Sequence, residues 1–190
     1  SGFANAPAAT LYGAEFELQW NKDLYTLGGE WWESKRLVAI ANYTYTQSEL
    51  EVTDSDIAQV FPSAPQPATN FFRDGVPLTG QSDHLVNLQL GLEDLDRLSQ
   101  ATILLSYASE RVTSRGTSNL PDVIEDPGLR LDFVVRQGFE LGGADMELKL
   151  EARNLTGRDY EEFQTNGDTR IDINSYDVGT SFSVSLSAEF

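Results

Sequence analysis

The chain has 190 residues, 40% of them hydrophobic, and its 30 acidic and 13 basic side chains give a formal charge of −17. No basic stripe exists to neutralise phosphates, which argues against nucleic acid as a partner, and the acids read as loop charge facing water. Zero cysteines exclude disulfides, thiolate nucleophiles and cysteine-ligated metals. With no apolar run long enough for a transmembrane helix, a β-barrel is the one remaining structure that satisfies its backbone inside lipid.

The first residues, Ser1 to Asn5, lack the charged, apolar and small-residue sections of a signal peptide. An outer-membrane protein needs one, so the chain reads as a fragment or a processed piece. The first expected strand is 13–21, where Ala14, Phe16, Leu18 and Trp20 alternate with Glu15, Glu17 and Gln19. The second, 36–47, begins with five consecutive apolar residues and then puts Tyr43 and Tyr45 opposite Asn42, Thr44 and Thr46. The segment 48–83 is too rich in proline and polar residues for a regular strand; it is expected to be a loop with a little helix, anchored by Phe61, Phe71 and Phe72.

The third strand, 84–93, sets Val86, Leu88, Leu90 and Leu92 against Asn87, Gln89 and Glu93. The fourth, 100–110, sets Ala101, Ile103, Leu105 and Tyr107 against Thr102, Ser106 and Glu110. In the fifth, 128–137, Leu129, Leu131, Phe133 and Val135 oppose Arg130, Asp132 and Arg136. In the sixth, 145–154, Met146, Leu148, Leu150 and Ala152 oppose Glu147, Lys149, Glu151 and Arg153. The chain closes, over 176–190, on strict alternation of Phe182, Val184, Leu186, Ala188 and Phe190 with Ser183, Ser185, Ser187 and Glu189. Lipid on one side and a polar lumen on the other explains this period of two, and a solvated face of a soluble sandwich is the alternative.

Parity supplies a check. Apolar positions are odd in the fifth strand and even in the sixth, so the turn between them holds an even number of residues, which Gly142-Gly143 provides. The joins after the first, third and fifth strands are about 14, 6 and 7 residues, and those after the second, fourth and sixth about 36, 17 and 20, an alternation expected of periplasmic turns and extracellular loops. The long loops are then 48–83, 111–127 and 155–175. Seven strands, an odd number, do not close an ordinary bacterial barrel by themselves.

Several segments resemble the carboxyl-terminal part of TonB-dependent outer-membrane receptors. Residues 150–160, centred on Asn154, Leu155, Gly157, Arg158, Asp159 and Tyr160, are similar to a stretch near the end of those receptors, and Tyr176, Gly179 and 180–190 to their closing strand, with Thr180 where the family usually has Arg. Residues 13–18, 41–46 and 80–87 resemble three earlier strand segments, in family order. The resemblance implies an all-β fold: the carboxyl-terminal portion of an antiparallel transmembrane barrel of about 22 strands, with 1–190 as one segment of that domain and the plug and earlier strands upstream. It also implies an outer-membrane location in a Gram-negative bacterium. The implied function is binding of a scarce nutrient (iron chelate, cobalamin or carbohydrate) and its active transport into the periplasm, with membrane lipid, the rest of the barrel, the plug and TonB as partners. A soluble β-sandwich that binds carbohydrate or protein ligands is the alternative, separable by whether the protein needs detergent.

Trp20, Tyr43, Tyr45, Tyr107, Tyr160, Phe182 and Phe190 are expected at the lipid interface, where amphipathic rings favour the headgroup boundary. Trp31-Trp32, in the longest short-side turn, is assigned to the inner interface or the barrel rim. Arg130, Asp132, Arg136, Lys149, Glu151 and Arg153 are expected to face the lumen, where they either hold a plug through many weak contacts or face water. His84 is the single histidine, and no base, nucleophile and acid cluster forms around it. Asp54 with Asp56, and Asp159 with Glu161 and Glu162, lack the spacing of calcium loops. No enzyme activity, cofactor or metal is expected.

Overall fold

The computed structural model describes residues 6–59, 64–116 and 120–189. It is all-β, with thirteen strands among those residues. Seven long strands form one antiparallel sheet: β1 (Ala8–Asp23), β2 (Lys35–Glu51), β5 (His84–Asp94), β6 (Ser99–Ala108), β9 (Gly128–Leu141), β10 (Ala144–Arg153) and β13 (Ser181–Glu189), in that spatial order. Each long strand thus pairs with its neighbour among the long strands of the sequence, the simplest antiparallel connectivity. All seven expected strands are present. The first two run further than expected, because their pairing continues from Ala8↔Glu51 to Asp23↔Arg36 without a break.

Register carries the alternation of single strands across the whole sheet. Trp20, Ala39, Leu90, Ile103, Phe133, Ala152 and Phe182 form one cross-strand row. A second row joins Phe16, Tyr43, Val86, Tyr107 and Leu129. The odd and even phases of successive strands therefore put every apolar set on one face. That face is uncovered: Phe182 is 74% exposed and Val184 71%. A sandwich buries such residues against a second sheet about 10 Å away.

The joins 24–34, 95–98 and 142–143 are short and lie at one end of the sheet, whereas 52–83, 109–127 and 154–180 are long and lie at the other. Gly142 and Gly143 take φ of 64° and 85° between the paired Leu141 and Ala144. That is the two-residue turn the parity requires, and side chains with a Cβ resist it. The turn 24–34 holds a short 3₁₀ turn, η1 (Tyr25–Leu27), and one turn of helix, α1 (Glu30–Glu33).

The long joins are more ordered than the sequence reading expects. Residues 111–127 and 155–175, expected as loops, contribute β7 (Arg111–Ser114), β8 (Val123–Glu125), β11 (Tyr160–Asn166) and β12 (Thr169–Tyr176) to a separate four-stranded antiparallel sheet, ordered β12-β11-β8-β7. Tyr176, placed in the closing strand by the sequence reading, ends β12 instead. Residues 52–83 carry the two-residue strands β3 (Ile57–Ala58) and β4 (Gln66–Pro67) and the 3₁₀ turn η2 (Ala68–Asn70). Here lies a small core of Leu50, Val52, Ala58 and Ala68, against which Phe71 and Phe72 pack as anchors. Phe61 lies outside the described residues.

Candidate functional site

The face of the long sheet opposite the apolar one is polar by the same register; the polar face is termed inward and the apolar one outward. Arg136 donates to both carboxylate oxygens of Glu147, at 2.7 and 3.0 Å, in a forked pair. Lys149 lies 2.5 Å from Glu151, which also accepts from Arg153 at 3.3 Å and from the Ser183 hydroxyl at 3.1 Å. The Asp132 carboxylate accepts the Asn154 backbone N–H at 2.8 Å. Five of the six expected inward charges are therefore engaged within their own strand, with the neighbouring strand or with the loop that follows it. Among the described residues the Arg130 side chain makes no ion pair and no hydrogen bond.

Asn154 is the joint between the two sheets. It is 4% exposed and holds φ of 56°, a left-handed conformation that Asn tolerates better than most residues. Its side-chain N–H group donates to the carbonyls of Arg158, at 3.0 Å, and Gly179, at 2.9 Å, while its side-chain oxygen accepts the Arg158 N–H at 3.0 Å. Its own carbonyl accepts from the Thr180 hydroxyl at 2.9 Å. Six residues of irregular chain are thereby folded so that β10 ends, β11 starts and β13 is approached from one place. Arg158 leaves this knot to cover Gly128, where a Cβ would stand 2.8 Å from Arg158 Nε, and to pair with Asp126 at 2.8 Å.

Above the inward face this knot opens a cleft of about 500 Å³, within the usual range for small-molecule sites. Its floor is the row Asn87, Ser106 and Arg130, directly paired across β5, β6 and β9. Its wall is Tyr160 and Tyr176, partners in the β11–β12 ladder whose rings stack with centroids 4.8 Å apart. Burial pushes the Tyr160 phenol up to about 12, helped by its hydrogen bond to the Glu162 carboxylate. Arg111 and Glu125, 2.8 Å apart, close one side as a neutral pair.

The expected interface aromatics divide. Trp20, Tyr43, Tyr107 and Phe182 lie on the exposed outward rows, and Tyr45 is paired with His84 on the same face. There the Tyr43 hydroxyl lies 2.9 Å from His84 Nδ1, and the Tyr45 ring lies 5.3 Å from the imidazole. Tyr160 departs from this set: it belongs to the small sheet and lines the cleft, because residues 160–176 form their own hairpin. The two-residue turn Gly167-Asp168, with Gly167 at φ 59° between the paired Asn166 and Thr169, is the sequence signal of that hairpin. Phe190 lies outside the described residues. Trp31 stacks edge-on to Trp32 at 4.4 Å and receives the Lys35 ammonium 5.0 Å from its ring, beside an ion pair of Lys35 with Asp94 that the strand pattern does not reveal.

Several acidic groups of the loops are committed internally. The Asp56 carboxylate accepts the backbone N–H and the hydroxyl of Thr53, both at 2.8 Å, which holds it below its ordinary pKa. Glu161 is 2.8 Å from Arg170, whose guanidinium covers the Phe163 ring at 4.0 Å. Among the described residues no three His, Cys, Asp or Glu side chains gather to hold a metal ion. No protein-family model matches the chain, and neither a curated protein nor a solved structure does.

Proposed function

We propose that the chain is the carboxyl-terminal part of the barrel of a TonB-dependent outer-membrane receptor, which captures a scarce nutrient outside the cell and passes it into the periplasm. The observation that carries this reading is the continuous exposed apolar face of seven antiparallel strands, opposite a polar face whose charges pair with one another. Water solvates the second face well and the first poorly, whereas lipid outside and an aqueous lumen inside suit both. All long joins lie at one end, as extracellular ligand-binding loops would. The resemblance of residues 150–160 and 176–190 to the family supports the same assignment, with closure into about 22 strands supplied by the rest of the barrel.

In this reading the protein binds and transports and performs no chemistry on its cargo. The inward ion pairs are partly solvated and therefore weak, which suits a seal that must rearrange when TonB pulls on the plug. The test is fractionation of the full-length protein in a Gram-negative host. The expected outcome is recovery in the outer membrane, a band that shifts on heating in mild detergent, and nutrient uptake that disappears when TonB is deleted. Recovery as a monomer without detergent would sink the reading and favour the sandwich.

A further inference from the structure

The cleft beneath the small sheet contains more hydrogen-bonding capacity than the protein itself uses. Asn42, Asn87, Ser106 and Arg130 stand in register in one row on the inward face, which Glu17 begins on β1. Among the described residues none of the four side chains makes a hydrogen bond or an ion pair, and Asn87, Ser106 and Arg130 line the cleft, whereas the charges Arg136, Glu147, Lys149, Glu151 and Arg153 on the same face are paired. Amides and a hydroxyl offer donors and acceptors together, and a guanidinium adds donors only. Groups left unpaired in a concave site above a flat row are arranged for something that brings its own alternating donors and acceptors.

Two further features narrow the chemistry. Charge in the cleft is close to balanced, since Arg111 faces Glu125, and Arg158 from outside the lining pairs with Asp126, at 2.8 Å each. Of the remaining ionisable lining groups, Arg130 is cationic and Asp159 anionic, so an anionic chelate finds no net positive field there. The wall, meanwhile, is a flat pair of rings, and Tyr176 is 54% exposed. Aromatic faces beside amide and hydroxyl groups complement a molecule with apolar C–H faces and a polar edge.

From these observations we infer that the cleft binds a neutral polyhydroxylated ligand, a sugar ring or short oligosaccharide, packed on Tyr160 and Tyr176 and hydrogen-bonded to Asn87, Ser106 and Arg130. The inference deepens the receptor reading and rests on it, because it names which of the three nutrient classes the loop end would admit. Tyr160 is the fixed member of the pair, tied to Glu162, and Tyr176 the exposed face that the ligand covers.

The test uses the full-length protein in detergent against a glycan array of neutral mono- to tetrasaccharides, with ferric citrate as the anionic probe, followed by calorimetric titration of the hits. At least one neutral saccharide is expected to bind and ferric citrate is not. Tyr176→Ala should weaken that binding about tenfold, the worth of one ring contact. Asn87→Ala should cost about threefold to tenfold, one hydrogen bond. Tyr176→Phe keeps the ring and should stay within about twofold, and with the heat-shift assay it shows that the variants remain folded. A blank array, binding of ferric citrate alone, or saccharide binding indifferent to both alanine variants overturns the inference. A blank array with TonB-dependent uptake of another cargo leaves the receptor reading standing, whereas saccharide binding by a protein that needs no detergent removes the receptor and keeps the cleft.

Discussion

The rings of Tyr160 and Tyr176 stack at 4.8 Å and 18° from parallel, at directly paired positions of β11 and β12. Tyr160 is held neutral by burial and by its hydrogen bond to Glu162, so its pKa rises from 10.0 to about 12. A phenol whose proton is held more tightly in the folded chain contributes stability that is complete below about pH 10 and is lost as pH rises through about 12. Spectrophotometric titration of tyrosinate should therefore show one late-ionising residue, absent in Tyr160→Phe. If Tyr160→Phe leaves the late component in place, the burial of this phenol has been misread.

Val184 and Ser185 are neighbours on β13 that face opposite ways. Val184→Arg should cost about 2–4 kcal/mol in folding into lipid if the position is near the bilayer centre, and Ser185→Arg about 0–1 kcal/mol because it enters the aqueous side. Equilibrium folding into vesicles, followed by the heat-shifted band, measures both. Equal costs at the two positions would contradict a lipid-facing side.

Asn154 supplies the joint between the sheets, and its buried side chain satisfies three backbone groups. Asn154→Ala leaves those groups unpaired and also strains a residue at φ 56°, so a loss of about 2–4 kcal/mol is expected. Asn154→Gly relieves the strain alone and should recover about 1 kcal/mol. Denaturant unfolding of the two variants separates the terms, and a ranking with glycine no better than alanine would deny the strain.

Asp122 ties two long loops together: one of its carboxylate oxygens is 2.8 Å from Arg73 of the 52–83 loop and the other 2.7 Å from Arg115. Arg115 is nearly buried, with Nε and Nη2 making no hydrogen bond, so Asp122→Asn leaves a poorly compensated cation. A cost of about 1–3 kcal/mol is expected, local to the loops. Limited proteolysis should then cut residues 64–83 and 109–116 faster while the long strands stay protected. Unchanged cleavage would mean the loops are held by other contacts.

Lys35 and Asp94 form a pair at the short-turn end whose side chains are 6% and 1% exposed. Removing one partner leaves the other charge buried, so Asp94→Asn should cost about 3 kcal/mol. Replacing both, Lys35→Met with Asp94→Leu, should recover most of the loss, since a well-packed apolar pair of similar size often substitutes for a buried ion pair. The unfolding midpoints of single and double variants decide this.

The seven long strands, their parity and the alternation of short and long joins were legible in the sequence because a period of two is a local property: each strand advertises its own faces, and Gly142-Gly143 advertises its own turn. That six charges share the polar face of the sheet was legible for the same reason. Which charges pair was not, since Arg136 finds Glu147 across a strand boundary whose register is set by the turn. Residues 111–114, 123–125, 160–166 and 169–175 read as loops in the sequence because their strands are short, and the pairing of β8 with β11 that unites the two hairpins joins residues from different loops, which no single window contains. The unpaired row from Asn42 to Arg130 likewise spans four strands. Local alternation thus determined the sheet and its apolar and polar faces, while the cleft, the Asn154 joint and the union of the two hairpins were decided by tertiary structure, because each depends on residues distant in sequence meeting only once the strands are in register.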